Sequence, residues 1–395
     1  MATCAATALL AALLAVPVAG EAAGTGEATV RGAMTLVAGA VSGDPATLAR
    51  RDQFGTGGPA DGWVLLDPEG ERFVARFTFA APGEEVDLLL ALRAPAANLG
   101  RWRVEVRQGG TWVRLWHNPR RAGSWWGGSF PLDVDPGRRV VVRVVGRGAA
   151  LALDRLALAP APWRPAPGTT WQWQLSGAID TSLDVAMYDV DLVDTPAAVI
   201  ESLHRAGRVV VCYFSAGSWE DWRPDRGAFP EAVLGKPLAG WRDELWLDVG
   251  RLDLLAPVME ARLDLAAARG CDGVEPDNVD GYQNDTGFAL TAAEQLRYNT
   301  WLAERAHERG LSVGLKNDLG QVRALVTLFD WALNEQCFEY DECPALLPFV
   351  SAGKAVFGVE YRGDPGSFCP QAAEWGFSWL RKRPALGAWA VPCPG

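Results

Sequence analysis

Gly273-Val-Glu-Pro-Asp-Asn-Val-Asp-Gly-Tyr282 begins as a short apolar strand and ends among acids, with Glu275, Asp277 and Asp280 inside six positions. Asn334-Glu-Gln-Cys-Phe338 later repeats the arrangement. Carboxylates this close repel one another, so a chain keeps them where a cation, a sugar or a proton transfer needs them. The plainer alternative is a solvated acidic loop, and the surrounding sequence decides between the two.

Apolar runs at 185–190, 209–214, 245–249, 273–275, 312–315, 331–333 and 355–359 alternate with helical periodicity at 195–206, 252–268, 291–309 and 321–328. Strand and helix in succession predict an α/β fold, a (β/α)8 TIM barrel over 170–395, with an eighth strand near 376–380. A doubly wound open sheet is the competing arrangement, but no glycine-rich nucleotide loop follows the first strand. In a barrel the C-terminal strand ends collect at one mouth. Strand one ends in Tyr188-Asp-Val-Asp191, strand two in Cys212-Tyr-Phe-Ser215, strand three in Trp246-Leu-Asp248 and strand four in Glu275-Pro-Asp-Asn278. Lys316-Asn-Asp318, Asn334-Glu-Gln336 and Glu360-Tyr-Arg362 end the next three. Polar residues at so many corresponding places are hard to attribute to random loop composition.

Upstream, 28–159 alternates apolar and polar residues in short runs broken by Gly, Pro and Asp, as in Arg72-Phe-Val-Ala-Arg-Phe-Thr-Phe79. That pattern predicts an all-β sandwich of jelly-roll type preceding the barrel, joined to it by a proline-rich linker at 160–169. Trp63, Trp102, Trp112, Trp116, Trp125 and Trp126 fall in this region. Exposed indoles would make it a carbohydrate-binding module, whereas buried ones are core.

The 395-residue chain is 49% hydrophobic, enough for two domains. Its 37 basic and 48 acidic residues give a net charge of -11, which argues against nucleic acid and favours a neutral or cationic partner. An apolar stretch at 5–19 followed by small residues predicts a signal peptide over 1–23, although it lacks a basic start. No segment reaches the length of a membrane span. The expected product is a secreted or periplasmic soluble monomer. Cys4 would leave with the leader, and Cys212, Cys271, Cys337, Cys343, Cys369 and Cys393 remain, an even set suited to disulfides, with Cys337 and Cys343 close enough for a local bridge. Buried free thiols are the alternative. Three histidines, His117, His204 and His307, stand apart from other metal-type ligands, which leaves a zinc site or serine triad without support.

Glycoside hydrolysis needs one carboxylic acid and one carboxylate flanking the scissile bond. Asp277 on strand four and Glu335 on strand six are the catalytic candidates. Asp189, Asp191, Glu220, Asp248, Glu275, Asn278, Asp280, Lys316, Asp318 and Glu360 are candidates to hydrogen-bond sugar hydroxyls or pair with an amino sugar. Tyr188, Tyr213, Trp219 and Trp246 are candidate stacking walls. For each of these, a purely structural role as helix cap or core residue is the competing reading. Lys316 would support Schiff-base chemistry only if it were uncharged, and Asp277, Asp280 and Glu335 are chemically able to ligate a divalent metal. No cofactor or metal is expected.

At these residues the chain resembles glycoside hydrolase family 114, the endo-α-1,4-polygalactosaminidases. Trp171-Gln-Trp-Gln-Leu175, Cys212-Tyr-Phe-Ser-Ala-Gly217 with Glu220 and Trp222, Gly273 to Tyr282, Gly314-Leu-Lys-Asn-Asp318 and Asn334 to Phe338 carry the resemblance. It implies a secreted barrel acting on galactosamine-rich polysaccharide by a retaining mechanism, with Asp277 as nucleophile and Glu335 as acid/base. An acid-rich mouth would attract the ammonium groups of such a polymer. Competing functions are hydrolysis of another α-linked glycan and non-catalytic polysaccharide binding.

Overall fold

The computed structural model describes residues 161–394 throughout and, before them, ten strands between residues 40 and 160 with the turn residue Gly110. The signal peptide expected over 1–23 lies outside the described residues. The ten strands form two five-stranded antiparallel sheets. One runs in the order Ala40–Val41, Arg72–Ala80, Arg139–Arg147, Arg101–Gln108, Thr111–His117; the other Leu48–Arg50, Val64–Leu66, Leu151–Pro160, Glu85–Arg93, Trp125–Asp133. Alternate residues are buried, among them Val104, Val106, Val142 and Val144 in one sheet and Leu88 and Leu90 in the other, as period-two patterning requires. Trp102 is core, its indole lying over Gly146, where a Cβ would fall 2.3 Å from the ring. The Arg143 guanidinium sits 3.9 Å from the centre of the Trp112 ring. The side chains of Trp63, Trp116, Trp125 and Trp126 lie outside the described residues.

Residues 161–165 belong to the predicted linker, yet they pack on the barrel. Trp163 lies against the axial core, and Arg164 pairs at 3.1 Å with buried Asp330, just before the sixth strand.

Eight parallel strands make the barrel: Trp171–Gln174, Met187–Asp191, Val209–Ser215, Gly273–Asp277, Ser312–Lys316, Trp331–Glu335, Val356–Glu360 and Ser378–Lys382. The register between the first and the last is completed without a regular ladder. Trp171 Nε1 donates to the Ser378 carbonyl at 3.0 Å, Leu175 N donates to the Leu386 carbonyl at 3.0 Å, and Ala390–Pro392 pairs antiparallel with the eighth strand. Alternation sorts the side chains into two layers. Trp171, Trp173, Met187, Val211, Trp331, Leu333, Phe357 and Val359 fill the barrel axis, while Tyr188, Val190, Val210, Phe214, Val274, Val313 and Val356 meet the helices.

One strand expectation is corrected. The run at 245–249 does not enter the barrel; Trp241–Leu247 lies between Ser218–Glu220 and Leu234–Leu238 in a small antiparallel sheet. A parallel neighbour needs a long crossover, and between Ser215 and Trp241 the described helices are only the short turns Arg226–Ala228 and Glu231–Val233. Trp171–Gln174 supplies the missing parallel strand, so the strands read as one and two are the second and third. Helix expectations fared better: Ala292–Glu308 starts at a Thr291–Glu294 capping box, and Leu252–Arg269 ends at Gly270 in the left-handed region.

The cysteines pair as Cys212–Cys271, Cys337–Cys343 and Cys369–Cys393, including the expected local bridge. The first ties the third strand to the residue beside the fourth, and the last pins the C-terminal segment that fills the barrel seam.

Gly314 faces the axis beneath the Trp331 indole, where an added Cβ would lie 2.2 Å from the ring. Gly314→Ala therefore forces Trp331 off its hydrogen bond to Ser312 Oγ and is expected to lower the unfolding free energy by about 1–3 kcal/mol. Urea unfolding curves measure this; a variant with unchanged midpoint would contradict the packing described.

Candidate active site

The inward positions of the alternation carry polar groups at the strand ends. Lys316 ends the fifth strand and is 1% exposed. Its Nζ lies 2.8 Å from Glu275 Oε1, 3.1 Å from Asp277 Oδ1 and 3.4 Å from Glu335 Oε2. The Trp173 ring centre is 4.7 Å away on the same ammonium, and its Nε1 donates to Glu275 Oε2 at 3.0 Å. Burial alone would depress this lysine, but Asp277, Glu275 and Glu335 outweigh it and hold Lys316 well above the usual lysine range. A lysine kept cationic is a poor carbonyl nucleophile, so the geometry gives Schiff-base chemistry no support. The same ammonium fills the space between Asp277 and Glu335 in which a shared metal would sit.

Asp277 and Glu335 differ from Glu275, the third carboxylate of this cluster, in reaching solvent. Their side chains are 17% and 26% exposed, against 0% for Glu275. Asp277 Oδ1 accepts from the Asn278 amide at 2.7 Å, and its Oδ2 accepts from the Tyr213 hydroxyl at 3.1 Å. Burial, with Asp277 beside it, raises Tyr213 so that it remains a donor. Glu335 is held by Asn317 Nδ2 at 3.3 Å and by the Tyr361 hydroxyl, a phenol that burial and Glu335 itself keep protonated. Asn317 Oδ1 in turn accepts from the Glu335 amide at 3.0 Å and from Asn334 Nδ2 at 3.2 Å.

The backbone turns sharply after each of these strands. Asn278, Asn317, Asp318 and Gln336 have φ of 60, 49, 40 and 64°, left-handed values that non-glycine residues adopt at a cost of order 1–3 kcal/mol each. Such turns carry the chain away and leave the side chains of 277, 316 and 335 at the mouth. Opposite, Gly217 gives the third-strand loop its close approach, since a Cβ there would lie 1.7 Å from the Asn278 carbonyl oxygen. Asn278 Nδ2 donates to Ser215 Oγ at 3.0 Å and to Ser218 Oγ at 3.2 Å, and Ser218 donates to Glu244 at 2.6 Å.

Beneath this layer Asp189 is fully buried, and neither carboxyl oxygen has a donor among the described residues. Burial and then Glu275 raise it well above the carboxylate range, which favours its neutral form. Glu275 is itself pushed up to about 7 by burial and Asp277 against the opposing pull of Lys316. Burial and Asp277 also raise Asp280, to about 6. Asp318 accepts from Asn299 Nδ2 at 2.9 Å and is pushed up to about 8, by burial and then by Asp280.

Other sequence candidates lie elsewhere. Tyr188 is buried on the helix-facing side, its hydroxyl donating to the Leu183 carbonyl. Asp191 takes both terminal nitrogens of Arg223 at 2.9 and 2.7 Å, and Glu220 takes Arg223 Nε at 2.9 Å, so both are committed to a buried ion pair. Glu360 accepts the Phe338 amide and fixes the loop after the sixth strand. Asp248 accepts from the Gly250 amide near the start of Leu252–Arg269, Trp246 belongs to the small antiparallel sheet, and the Trp219 indole donates to the Arg226 carbonyl. Trp173, Tyr361, Asn317 and Glu244 were not among the sequence candidates. Within the seventh strand Phe357 and Val359 face the axis, so the alternation places Tyr361 rather than Glu360 at the inward position.

Several carboxyls thus hold protons in the folded state that the unfolded chain releases near pH 4. Their contribution to stability is present below the unfolded value and is lost as pH rises through about 6 for Asp280, about 7 for Glu275 and about 8 for Asp318. The thermal midpoint is therefore expected to fall between about pH 5 and about pH 9, and Asp318→Asn to flatten that fall. A midpoint that rises over the same interval, measured by calorimetry, would contradict these environments.

Glycoside-hydrolase family GH114 matches residues 153–395. Among solved structures, Aspergillus fumigatus Ega3 in complex with galactosamine is 40% identical, with a TM-score of 0.57 over 59% of this chain and 98% of that one. The glycoside hydrolase domain of PelA from Pseudomonas aeruginosa is 13% identical, with a TM-score of 0.48 over 57% of this chain and 98% of that one. No curated protein sequence matches. The matched residues make up more than half of the chain and contain every barrel strand, and the chain belongs to glycoside-hydrolase family GH114.

Proposed function

We propose that this glycoside hydrolase cuts within an α-1,4-linked, galactosamine-rich polysaccharide by a retaining mechanism, with Asp277 as nucleophile and Glu335 as acid/base. The carrying observation is that both carboxylates lie on one ammonium, at 3.1 and 3.4 Å. Their facing oxygens are therefore no more than about 6.5 Å apart, at the lower edge of the inverting range and compatible with the shorter retaining separation.

In this reading Glu335 protonates the glycosidic oxygen as Asp277 attacks the anomeric carbon and forms a glycosyl ester. Glu335, now a carboxylate, takes a proton from the water that displaces Asp277, which leaves both groups as they began. Lys316 and Tyr213 hold the two oxygens of Asp277, and Tyr361 and Asn317 fix the orientation of Glu335. The neutral Asp189 limits the negative charge beneath them, so that one lysine suffices.

Substrate class is supported by the galactosamine bound to Ega3 at 40% identity and by Asp280 beside the catalytic pair, which offers an anionic partner to a sugar ammonium. Cleavage within the chain and export follow the motif resemblance, and three disulfides suit an oxidising compartment. The two N-terminal sheets, assigned to 28–159, are read as an accessory domain that holds the barrel to polymer.

Mass spectrometry of soluble products from partly deacetylated α-1,4-galactosamine polymer tests this reading. The parent should release galactosamine oligomers. Asp277→Asn and Glu335→Gln should each lower kcat by about 100-fold or more while still binding polymer. Full activity in both variants, or no oligomers from the parent, overturns it.

A further inference from the structure

A second cavity lies on the same face of the barrel as the catalytic pair, outside the cluster around Lys316. Its volume is about 360 Å³, within the range of small-ligand sites, and it is lined by Lys236, Pro237, Leu238, Ala239, Trp246, Asn284 and Asp285. Residues 216–251 join the third strand to its helix, and residues 278–291 join the fourth strand to its own. Every lining residue thus comes from two neighbouring loops at the C-terminal ends of the strands, where barrel enzymes bind substrate.

The walls are fixed to each other. Lys236 N donates to the Thr286 carbonyl at 2.9 Å, and Gly235 lies so close that a Cβ would meet that carbonyl at 2.2 Å. The cavity is also joined to the catalytic loop at two places: Asn284 Nδ2 donates to the Asp280 carbonyl at 3.2 Å, and Trp246 is paired in register with Ser218, whose hydroxyl accepts from Asn278.

Chemically this cavity differs from the main mouth. Asp285 is paired with a cation, both its oxygens accepting from Lys236 Nζ at 2.8 and 2.7 Å. Its charge is already engaged, and Lys236 would repel an ammonium. Pro237, Leu238, Ala239 and the Trp246 indole give an apolar wall, while Lys236 and the Asn284 amide supply donors and Asp285 an acceptor. An acetamido group has the matching set: a methyl for the wall, a carbonyl for the donors and an N–H for the acceptor.

We propose that this cavity is a distal subsite for an N-acetylated hexosamine of the same polymer whose deacetylated residue occupies the catalytic mouth. The enzyme then reads a mixed pattern, a free amine at the cut and an acetamide beyond it. This rests on the galactosamine reading above.

The test is binding of defined galactosamine oligomers to Asp277→Asn protein by isothermal titration calorimetry, comparing a fully deacetylated oligomer with oligomers of equal length carrying one acetyl at each successive position. One acetylated isomer should bind about fivefold tighter or more. Adding Ala239→Trp, a change at an exposed turn residue that fills the cavity, should abolish that preference and leave the deacetylated oligomer's affinity unchanged. If the deacetylated oligomer binds but no acetylated isomer binds tighter, or if the preference survives Ala239→Trp, the subsite is overturned and the galactosamine reading stands. If no oligomer binds at all, both fall.

Discussion

One buried ammonium governs the catalytic end of this barrel. Lys316 is 1% exposed and surrounded at 2.8, 3.1 and 3.4 Å by Glu275, Asp277 and Glu335. Taking such a charge out of water costs several kcal/mol unless partners are close and well placed. The converse also holds, because three carboxylates at this spacing could not share the axis without a cation among them. Strand register, the Trp173 contact and the neutral Asp189 all serve that balance. Glu275 spends its oxygens on Trp173 and Lys316 and is closed to solvent, whereas Asp277 and Glu335 keep an exposed edge. In the proposed mechanism the division between supporting and reacting carboxylates follows from which of them the protein covers.

The mouth is built by backbone as much as by side chains. Left-handed turns at Asn278, Asn317 and Gln336 follow three successive strands, and each frees the preceding side chain to face the axis. Asparagine tolerates that region better than most residues, and at Asn278 and Asn317 the amide then bonds across the mouth. Those two asparagines therefore carry both a turn and an orienting contact, which ties local conformation to the geometry of the proposed site.

Much of this was legible in the sequence. Strands four to eight and the placement of Asp277, Lys316 and Glu335 at strand ends follow from apolar runs ending in polar residues, and the disulfide Cys337–Cys343 from its short spacing. What was missed has physical causes. Trp171–Gln174 is short and half glutamine, so it does not look like a buried strand, although Gln172 and Gln174 find carbonyl partners at Ala388, Ser176 and Ala178. Trp241–Leu247 has strand composition but no crossover to make it parallel. Asp191 and Glu220 resemble sugar ligands until Arg223 is seen on both, a pairing between loops that periodicity does not encode. Tyr188 and Glu360 fall on the outward parity, information the alternation did contain.

The most direct test of the central claim is the pH dependence of kcat/KM in Lys316→Met, measured on a soluble galactosamine oligomer with the folded fraction checked by circular dichroism. Loss of the cation removes the pull that opposes burial at Glu275 and should move the acidic limb upward by about one pH unit or more and lower the maximum. A folded variant with the parent's limb and the parent's maximum would contradict the account.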